Sequence, residues 1–236
     1  MGSTRPDPDG YLGHDIYRDR YTERDTPIPT EELRNAAEFT SGSGFELFAA
    51  ALAAVFAVLG LAGVAPLELA AFATIAVGFA LFAHGSTIAN RWSAATHLES
   101  NERTHLFGIG TEVLGGFIGG VLGLLAVIGV ARPVVLPISM LVLGAALVLG
   151  GPSQPALAEA IPAQELGDRR WYVTRDAVRA SGGVMVMSGV AAVVLGILAL
   201  LGGPRATLSL VAILCLAAGL IVAAGALIGR IARRFA

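Results

Sequence analysis

Six long apolar segments dominate the chain, and they come in three closely spaced pairs. The segments are Phe45 to Val64, Leu67 to Gly85, Phe107 to Ala131, Pro133 to Gly150, Gly182 to Gly203 and Leu208 to Gly229. Each is close to the roughly 20 apolar residues that a helix needs to cross the hydrocarbon layer. The connections within pairs are short, so the pattern predicts an all-α polytopic membrane protein with six transmembrane helices in three hairpins.

The segment that precedes the first hairpin has a different character. Residues 1 to 43 combine four prolines with many charged residues and contain no long apolar run, which predicts a mostly disordered tail. Thr30 can cap a short interfacial helix whose first turn carries Glu31 and Glu32. The predicted units are therefore the tail at 1–43 and hairpins at 44–85, 107–151 and 182–229.

Composition agrees with a membrane protein and excludes one class of partner. Hydrophobic residues make up 55% of the 236 residues and charged residues 14%, against about 25% charged in a typical soluble domain. The net charge of −2 and the absence of one basic face predict no binding to nucleic acid. The lipid bilayer is the predicted partner.

The distribution of arginine predicts the orientation in the membrane. Fourteen of the 16 basic residues, all of them arginines, lie in the tail, the two long connections and the C-terminus. Only Arg132 and Arg205 lie near the hairpin tips. Because positive residues favour the cytoplasmic side, we expect a plasma (inner) membrane protein with both termini in the cytoplasm.

The hairpins resemble one another in sequence, which predicts an internal repeat. Gly42 to Gly85 aligns without gaps with Gly108 to Gly151, and both segments contain a Gly-x-Gly-x-Glu element. The constant displacement from Gly42 to Gly108 is called the first repeat offset. The third hairpin aligns with the second at another constant displacement, from Gly110 to Gly183, which is called the second repeat offset. Met185 takes the place of the glutamate in the third hairpin.

Glycine-punctuated first helices, proline-marked tips and leucine- and glycine-rich return helices resemble the HdeD-type short-repeat membrane proteins. The tips are Ala65-Pro66, Arg132-Pro133 and Gly203-Pro204. The resemblance covers roughly residues 42 to 229 and implies a multi-pass protein linked with acid resistance, without catalytic residues. The polar tail and the Gly-x-Gly-x-Glu element depart from the family pattern.

Glycines in the third apolar segment predict close helix packing. Gly115, Gly119 and Gly123 recur every four residues, and Gly116 with Gly120 forms a second row on the adjoining face. Small residues at this spacing allow the backbones of neighbouring helices to approach closely. The glycine zipper predicts that the third helix is central and contacts at least two others, although glycine is common in membrane helices for other reasons.

Three titratable residues are the candidate functional site. Glu46 and Glu112 occupy equivalent positions at the cytoplasmic starts of the first and third helices, and His84 lies at the same depth near the end of the second. They form a candidate intramembrane cluster that binds protons or cations. A purely structural role has the greater weight, because acidic residues favour the first turn of a helix and lie within reach of headgroups here.

No enzyme motif, cofactor site or metal site is predicted. The chain has no phosphate loop, His-Glu-x-x-His or Gly-x-Ser-x-Gly motif in a suitable context, and His97 and His105 are too few to predict a zinc site. The leading hypothesis is a non-enzymatic membrane scaffold or stress-related protein. The alternative is a small transporter or proton-sensitive channel that uses Glu46, Glu112 and His84. A homo-oligomer and a protein partner for the tail stay open.

Overall fold

The computed structural model describes the backbone of residues 30–95, 102–152 and 168–232, and side chains within 44–87, 110–152 and 180–225. Every regular element in these ranges is a helix. The helices are α1 Thr30–Leu61, α2 Pro66–Ala95, α3 Glu102–Ile128, α4 Arg132–Gly150, α5 Asp168–Leu200 and α6 Arg205–Ala232. All six are long and apolar enough to span a membrane, so the predicted all-α membrane class is confirmed.

The chain divides into two compact units, Met1–Glu38 and Phe39–Ala236, and the bundle belongs to the second. Helix α1 begins at Thr30, as the capping pattern predicts, and continues without a break to Leu61. The predicted short interfacial helix is thus the beginning of α1. Residues 1–29, which make up most of the tail predicted to be disordered, lie outside the described residues, as do the side chains of His97 and His105.

The three return helices form the centre of the bundle. Helices α2, α4 and α6 contact one another pairwise, and 50%, 50% and 56% of their apolar spans are buried. The outgoing helices α1, α3 and α5 have only 33%, 33% and 28% of their spans buried. Helix α3 lies between α2 and α4, and α5 lies between α4 and α6. Helix α1 contacts α2 through Phe56 and Phe72 and meets α6 where Gly60 lies against Leu210.

The prediction that the third helix lies at the centre of the bundle is therefore wrong, although the predicted number of neighbouring helices is right. Helix α3 does contact two neighbours, but it is peripheral and exposes large side chains such as Leu114, Phe117 and Leu124. Glycine permits close approach wherever two helices cross, and such a crossing can lie at the edge of a bundle as well as at its centre. Rows of glycine thus indicate where two helices are in close contact, but not whether a helix is central or peripheral.

The hairpin turns have one recurring geometry. Gly63, Gly129 and Gly202 adopt φ values of 92°, 97° and 113°, which glycine adopts without steric cost. In the first two turns the amide of the following residue donates a hydrogen bond to the carbonyl five residues earlier, and Gly203 makes the same bond in the third. This is the Schellman pattern that ends a helix. The first repeat offset leads from Gly63 to Gly129 and the second from Gly129 to Gly202, as the alignment predicts.

Helices α2 and α3 cross at glycine. A methyl group built on Gly116 would lie 2.5 Å from the backbone nitrogen of Phe82 and 2.8 Å from the carbonyl oxygen of Gly78. A methyl group on Gly78 would lie 2.6 Å from the backbone nitrogen of Gly120. Gly123 also faces α2. Backbone therefore lies against backbone where Gly78 and Gly116 cross.

The other side of α3 packs against α4 through different glycines. Gly115 lies against Ala146, and Gly119 lies against the side chain of Leu143. The sequence analysis grouped Gly123 with Gly115 and Gly119, whereas in the structure Gly123 faces α2. Gly123 is seven residues after Gly116 and so lies on nearly the same face of the helix as Gly116, but it is eight residues after Gly115 and lies on a different face.

The crossing of α2 and α3 recurs between α4 and α5. Methyl groups on Gly144 and Gly189 would each lie 2.6–2.7 Å from the other residue's carbonyl oxygen. The first repeat offset leads from Gly78 to Gly144, and the second leads from Gly116 to Gly189. The second hairpin thus packs against the third as the first packs against the second.

Two neighbouring glycines on α3 provide a test of this crossing. We expect Gly116→Ala to lower the free energy of unfolding by about 1–3 kcal/mol, because its methyl group would meet backbone that cannot rotate away. A methyl group on Gly120 meets nothing within 4 Å, so Gly120→Ala should leave stability unchanged within about 0.5 kcal/mol. Unfolding of the purified variants in detergent measures both values, and equal effects would contradict the crossing.

Candidate functional site

A buried pair of ionisable side chains joins the two helices of the first hairpin. Glu46 projects from α1 and His84 from α2, and the distance between Glu46 Oε1 and His84 Nδ1 is 2.7 Å. Both side chains are fully buried. The second carboxylate oxygen of Glu46 has no hydrogen-bond partner among the described residues. Breaking such a pair would leave a charge in a medium of low polarity, so each residue constrains the other.

Glu112 of α3 belongs to the same site. Its side chain is fully buried and close enough to interact electrostatically with both His84 and Glu46. Its β-carbon lies beside Gly85, the residue after His84, and its carboxylate lies directly against Gly150 of α4. Neither oxygen of the Glu112 carboxylate has a hydrogen-bond partner among the described residues.

The helix positions explain why the three residues meet. Glu46 and Glu112 each precede the turn glycine of their hairpin, Gly63 and Gly129, by 17 residues. His84 follows Pro66, where α2 begins, by 18 residues. With a rise of about 1.5 Å per residue, all three therefore lie at a similar distance from the hairpin tips. The close crossing of α2 and α3 then brings Glu112 to the first hairpin.

The site is enclosed by protein rather than exposed to headgroups. The sequence interpretation placed the two glutamates within reach of the lipid headgroups, but both are inaccessible in the bundle. Within 44–87, 110–152 and 180–225, where side chains are described, the other ionisable residues are Glu68, Arg132, Arg205 and Cys215. Among these described side chains, the site therefore contains two carboxyl groups and one imidazole, and no arginine.

Two buried hydroxyl groups in the spans bond within their own helices and do not extend the site. The hydroxyl groups of Thr74 and Ser139 donate hydrogen bonds of 2.7 Å to the backbone of their own helices, at Ala70 and Leu136. The largest fully buried side chains of the return helices, His84 apart, are Leu81, Leu136, Met140, Leu143, Leu147, Leu210, Ile213, Leu216 and Leu220. The middle of the bundle is thus filled by aliphatic side chains.

A second ion pair lies at the opposite end of the bundle. Arg132 donates one hydrogen bond to Glu68 of α2, at 2.9 Å, and two to the carbonyl oxygens of Ala126 and Val127 at the end of α3. Glu68 is half exposed, so water screens the pair and its contribution is small. The sequence placed both residues near hairpin tips without predicting that they meet.

The structure brings together the three residues named from the sequence and adds Gly85 and Gly150, which sequence reasoning missed as part of the site. The signal for Gly150 was present in the repeat, because the first repeat offset relates Glu46 to Glu112 and also relates His84 to Gly150. Of the predicted packing glycines, Gly115, Gly116, Gly119 and Gly123 face the neighbouring helices, whereas a methyl group on Gly120 would meet nothing within 4 Å.

A double-mutant cycle on Glu46 and His84 tests the buried pair. We expect Glu46→Ala and His84→Ala each to lower the free energy of unfolding by about 3–5 kcal/mol, since each leaves an ionisable partner buried alone. The double variant should lose less than the sum, by about 1 kcal/mol or more. Glu68→Ala is the control and should cost less than about 1 kcal/mol. Additive losses at Glu46 and His84 would show that the two side chains do not interact.

Comparison with known proteins assigns no family to the chain. No family model, no curated protein and no solved structure matches it. The function is therefore argued from the geometry of the buried site and from the arrangement of the hairpins.

Proposed function

We propose that this multi-pass membrane protein is a non-enzymatic, proton-responsive component of the cytoplasmic membrane. The observation that carries the proposal is the enclosure of Glu46, His84 and Glu112 in one site, where three of the four carboxylate oxygens have no hydrogen-bond partner among the described residues. Ionisable residues inside a membrane bundle are costly and mark functional sites by default. Protons are the ligand for which these three side chains are chemically suited.

Charge balance supports protons as the ligand. With every acidic proton removed, the two carboxylates and the neutral imidazole carry a charge of −2, and they become neutral when they hold two protons. Burial strongly favours the neutral state over a net charge. Because the three groups lie together in one buried site, the protons bound there are shared among them. The proton content of the site, and hence the packing of α1, α2 and α3, follows the proton concentration.

The packing of the bundle favours a sensor over a conducting path. A channel or transporter needs polar groups that continue from the site across the membrane. The described return helices instead fill the centre with aliphatic side chains such as Leu143 and Leu216, and Thr74 and Ser139 satisfy their hydroxyl groups within their own helices. The convergence of the three ionisable residues is the feature that favours the transporter alternative.

The resemblance to the HdeD-type proteins supports the same direction. Six apolar helices in three hairpins fit that pattern, and a link with acid resistance agrees with a buried site whose ligand is the proton. The arginine distribution supports an orientation with both termini in the cytoplasm. The buried site then lies at the cytoplasmic end of the bundle, and it monitors the pH of the cytoplasm.

The dependence of stability on pH tests the proposal. The slope of unfolding free energy with pH is 2.303RT times the number of protons bound in the unfolded state minus the number bound in the folded state. We expect a marked slope for the wild type between about pH 4 and pH 8, reduced in Glu112→Gln and in His84→Gln. Glu68→Gln, at the exposed pair, is the control and should keep the wild-type slope. Identical slopes in all four proteins would contradict a proton-binding site.

The same proteins in liposomes distinguish the two functions. A sensor should give no proton flux above that of empty liposomes under an imposed pH gradient. A flux that Glu112→Gln abolishes would replace the sensor by the transporter or channel.

Cysteine labelling tests the orientation. In a Cys215→Ala background, we expect Val130→Cys at a hairpin tip to react with an impermeant thiol reagent on intact bacterial cells. Ser3→Cys in the tail should react only after lysis. The reverse pattern would place the buried site on the exterior side.

A further inference from the structure

The buried pair occupies positions that recur in all three hairpins. The first repeat offset relates Glu46 and His84 to Glu112 and Gly150, and the second repeat offset leads on to Met185 and Ala223. The first hairpin thus has a glutamate paired with a histidine, the second a glutamate paired with a glycine, and the third a methionine paired with an alanine. Met185 is fully buried and Ala223 almost so, so both positions of the third pair lie in the interior of the bundle.

Equivalent contacts in other parts of the structure are related by the same two repeat offsets. The turn glycines and the glycine crossings between hairpins recur at the two repeat offsets, as described above. Close to the site itself, a methyl group on Gly85 would meet Val113, and one on Gly151 would meet Val186. The first offset leads from Gly85 to Gly151, and the second leads from Val113 to Val186. The alignment thus relates equivalent contacts at the level of the buried site.

Glu112 occupies the space that a histidine would need in the second hairpin. A β-carbon added to Gly150 would overlap the Glu112 carboxylate and its γ-carbon. In the first hairpin the equivalent glutamate has a histidine opposite and makes a hydrogen bond of 2.7 Å to it. Glu112 has only Gly150 there, and its carboxylate has no hydrogen-bond partner among the described residues.

We propose that Glu112 and Gly150 are an incomplete second copy of the Glu46 and His84 site, in which Glu112 relies on His84 of the neighbouring hairpin. The single imidazole then serves two carboxyl groups, and the surplus carboxyl group is the one that binds a proton. That choice of ligand rests on the proposed function, whereas the equivalence of the two position pairs does not.

Three of the described ionisable side chains face this site. Helix α1 contributes Glu46, α2 contributes His84, and α3 contributes Glu112. Helix α4 has Gly150 at this level, and the described side chains of α5, at 180–200, include no ionisable group. The described side chains of α6, at 205–225, include Arg205, at the beginning by the hairpin tip, and Cys215, ten residues further into the helix. Among the described side chains, the proton content of the site therefore depends on Glu46, His84 and Glu112.

Relocating the histidine tests the equivalence. His84→Gly should shift the unfolding equilibrium by about a hundredfold or more, because it leaves two carboxyl groups buried without an imidazole. Gly150→His alone should be less stable than the wild type, because the added side chain overlaps Glu112. The combined variant His84→Gly/Gly150→His opens space beside α2 and gives Glu112 a histidine in its own hairpin. Its unfolding equilibrium should return to within about tenfold of the wild type.

A matched relocation to the third hairpin is the control. His84→Gly/Ala223→His moves the same side chain to the equivalent position, where Met185 replaces the glutamate, and it should not recover. The proposal would be overturned if the stability losses of His84→Gly and Gly150→His simply added in the combined variant, or if both relocations recovered stability equally. It would also be overturned if the two single variants were as stable as the wild type.

The outcome for the proposed function is separate. Recovery of stability in the relocated variant with no pH slope in it or in the wild type would keep the equivalence of the sites and remove the proton response. A pH slope in the wild type without recovery on relocation would keep the proton response and remove the equivalence.

Discussion

The cost of enclosing charge in a membrane bundle constrains the site and, through it, the first two hairpins. Glu46, His84 and Glu112 are inaccessible to solvent, and an isolated charge in such surroundings costs far more than a hydrogen bond returns. In the proposed function the three groups share protons, which keeps their net charge near zero. Helices α1, α2 and α3 are thereby coupled at one end, while Arg132 and Glu68 join α2 to the tip of the second hairpin at the other.

The position of the site follows from glycine. Lipid is as apolar as the side chains it replaces, so helices in a membrane associate through close packing rather than through the hydrophobic effect. The crossing at Gly78 and Gly116 brings the backbones of α2 and α3 into contact, and Glu112 one turn earlier on α3 is carried to His84. The same crossing recurs at Gly144 and Gly189, where α5 carries Met185 instead of glutamate. One scaffold thus presents an ionisable site in one place and an apolar contact in another.

Much of this arrangement could be predicted from the sequence, and the features that could not be predicted have physical causes. Apolar length predicted the six spans, and the repeat predicted that Glu46 and Glu112 lie at one depth. The sequence could not predict that the return helices are central, because both helices of each hairpin are apolar and hydropathy does not distinguish lipid from protein. Nor could it predict burial of the glutamates, since a first-turn acidic residue satisfies the helix dipole equally well at the surface. The pairing of Glu68 with Arg132 depends on how two hairpins meet, which local pattern does not encode.

The central claim is that the buried site holds protons shared among two carboxyl groups and an imidazole, and infrared spectroscopy tests it most directly. In lipid bilayers, a pH titration should reveal the carbonyl stretch of a protonated carboxylic acid, shielded from rapid hydrogen exchange. The account predicts that this band changes in both Glu112→Gln and His84→Gln, because the groups titrate together. A band that is absent at every pH, or that is the same in the wild type and both variants, would contradict it.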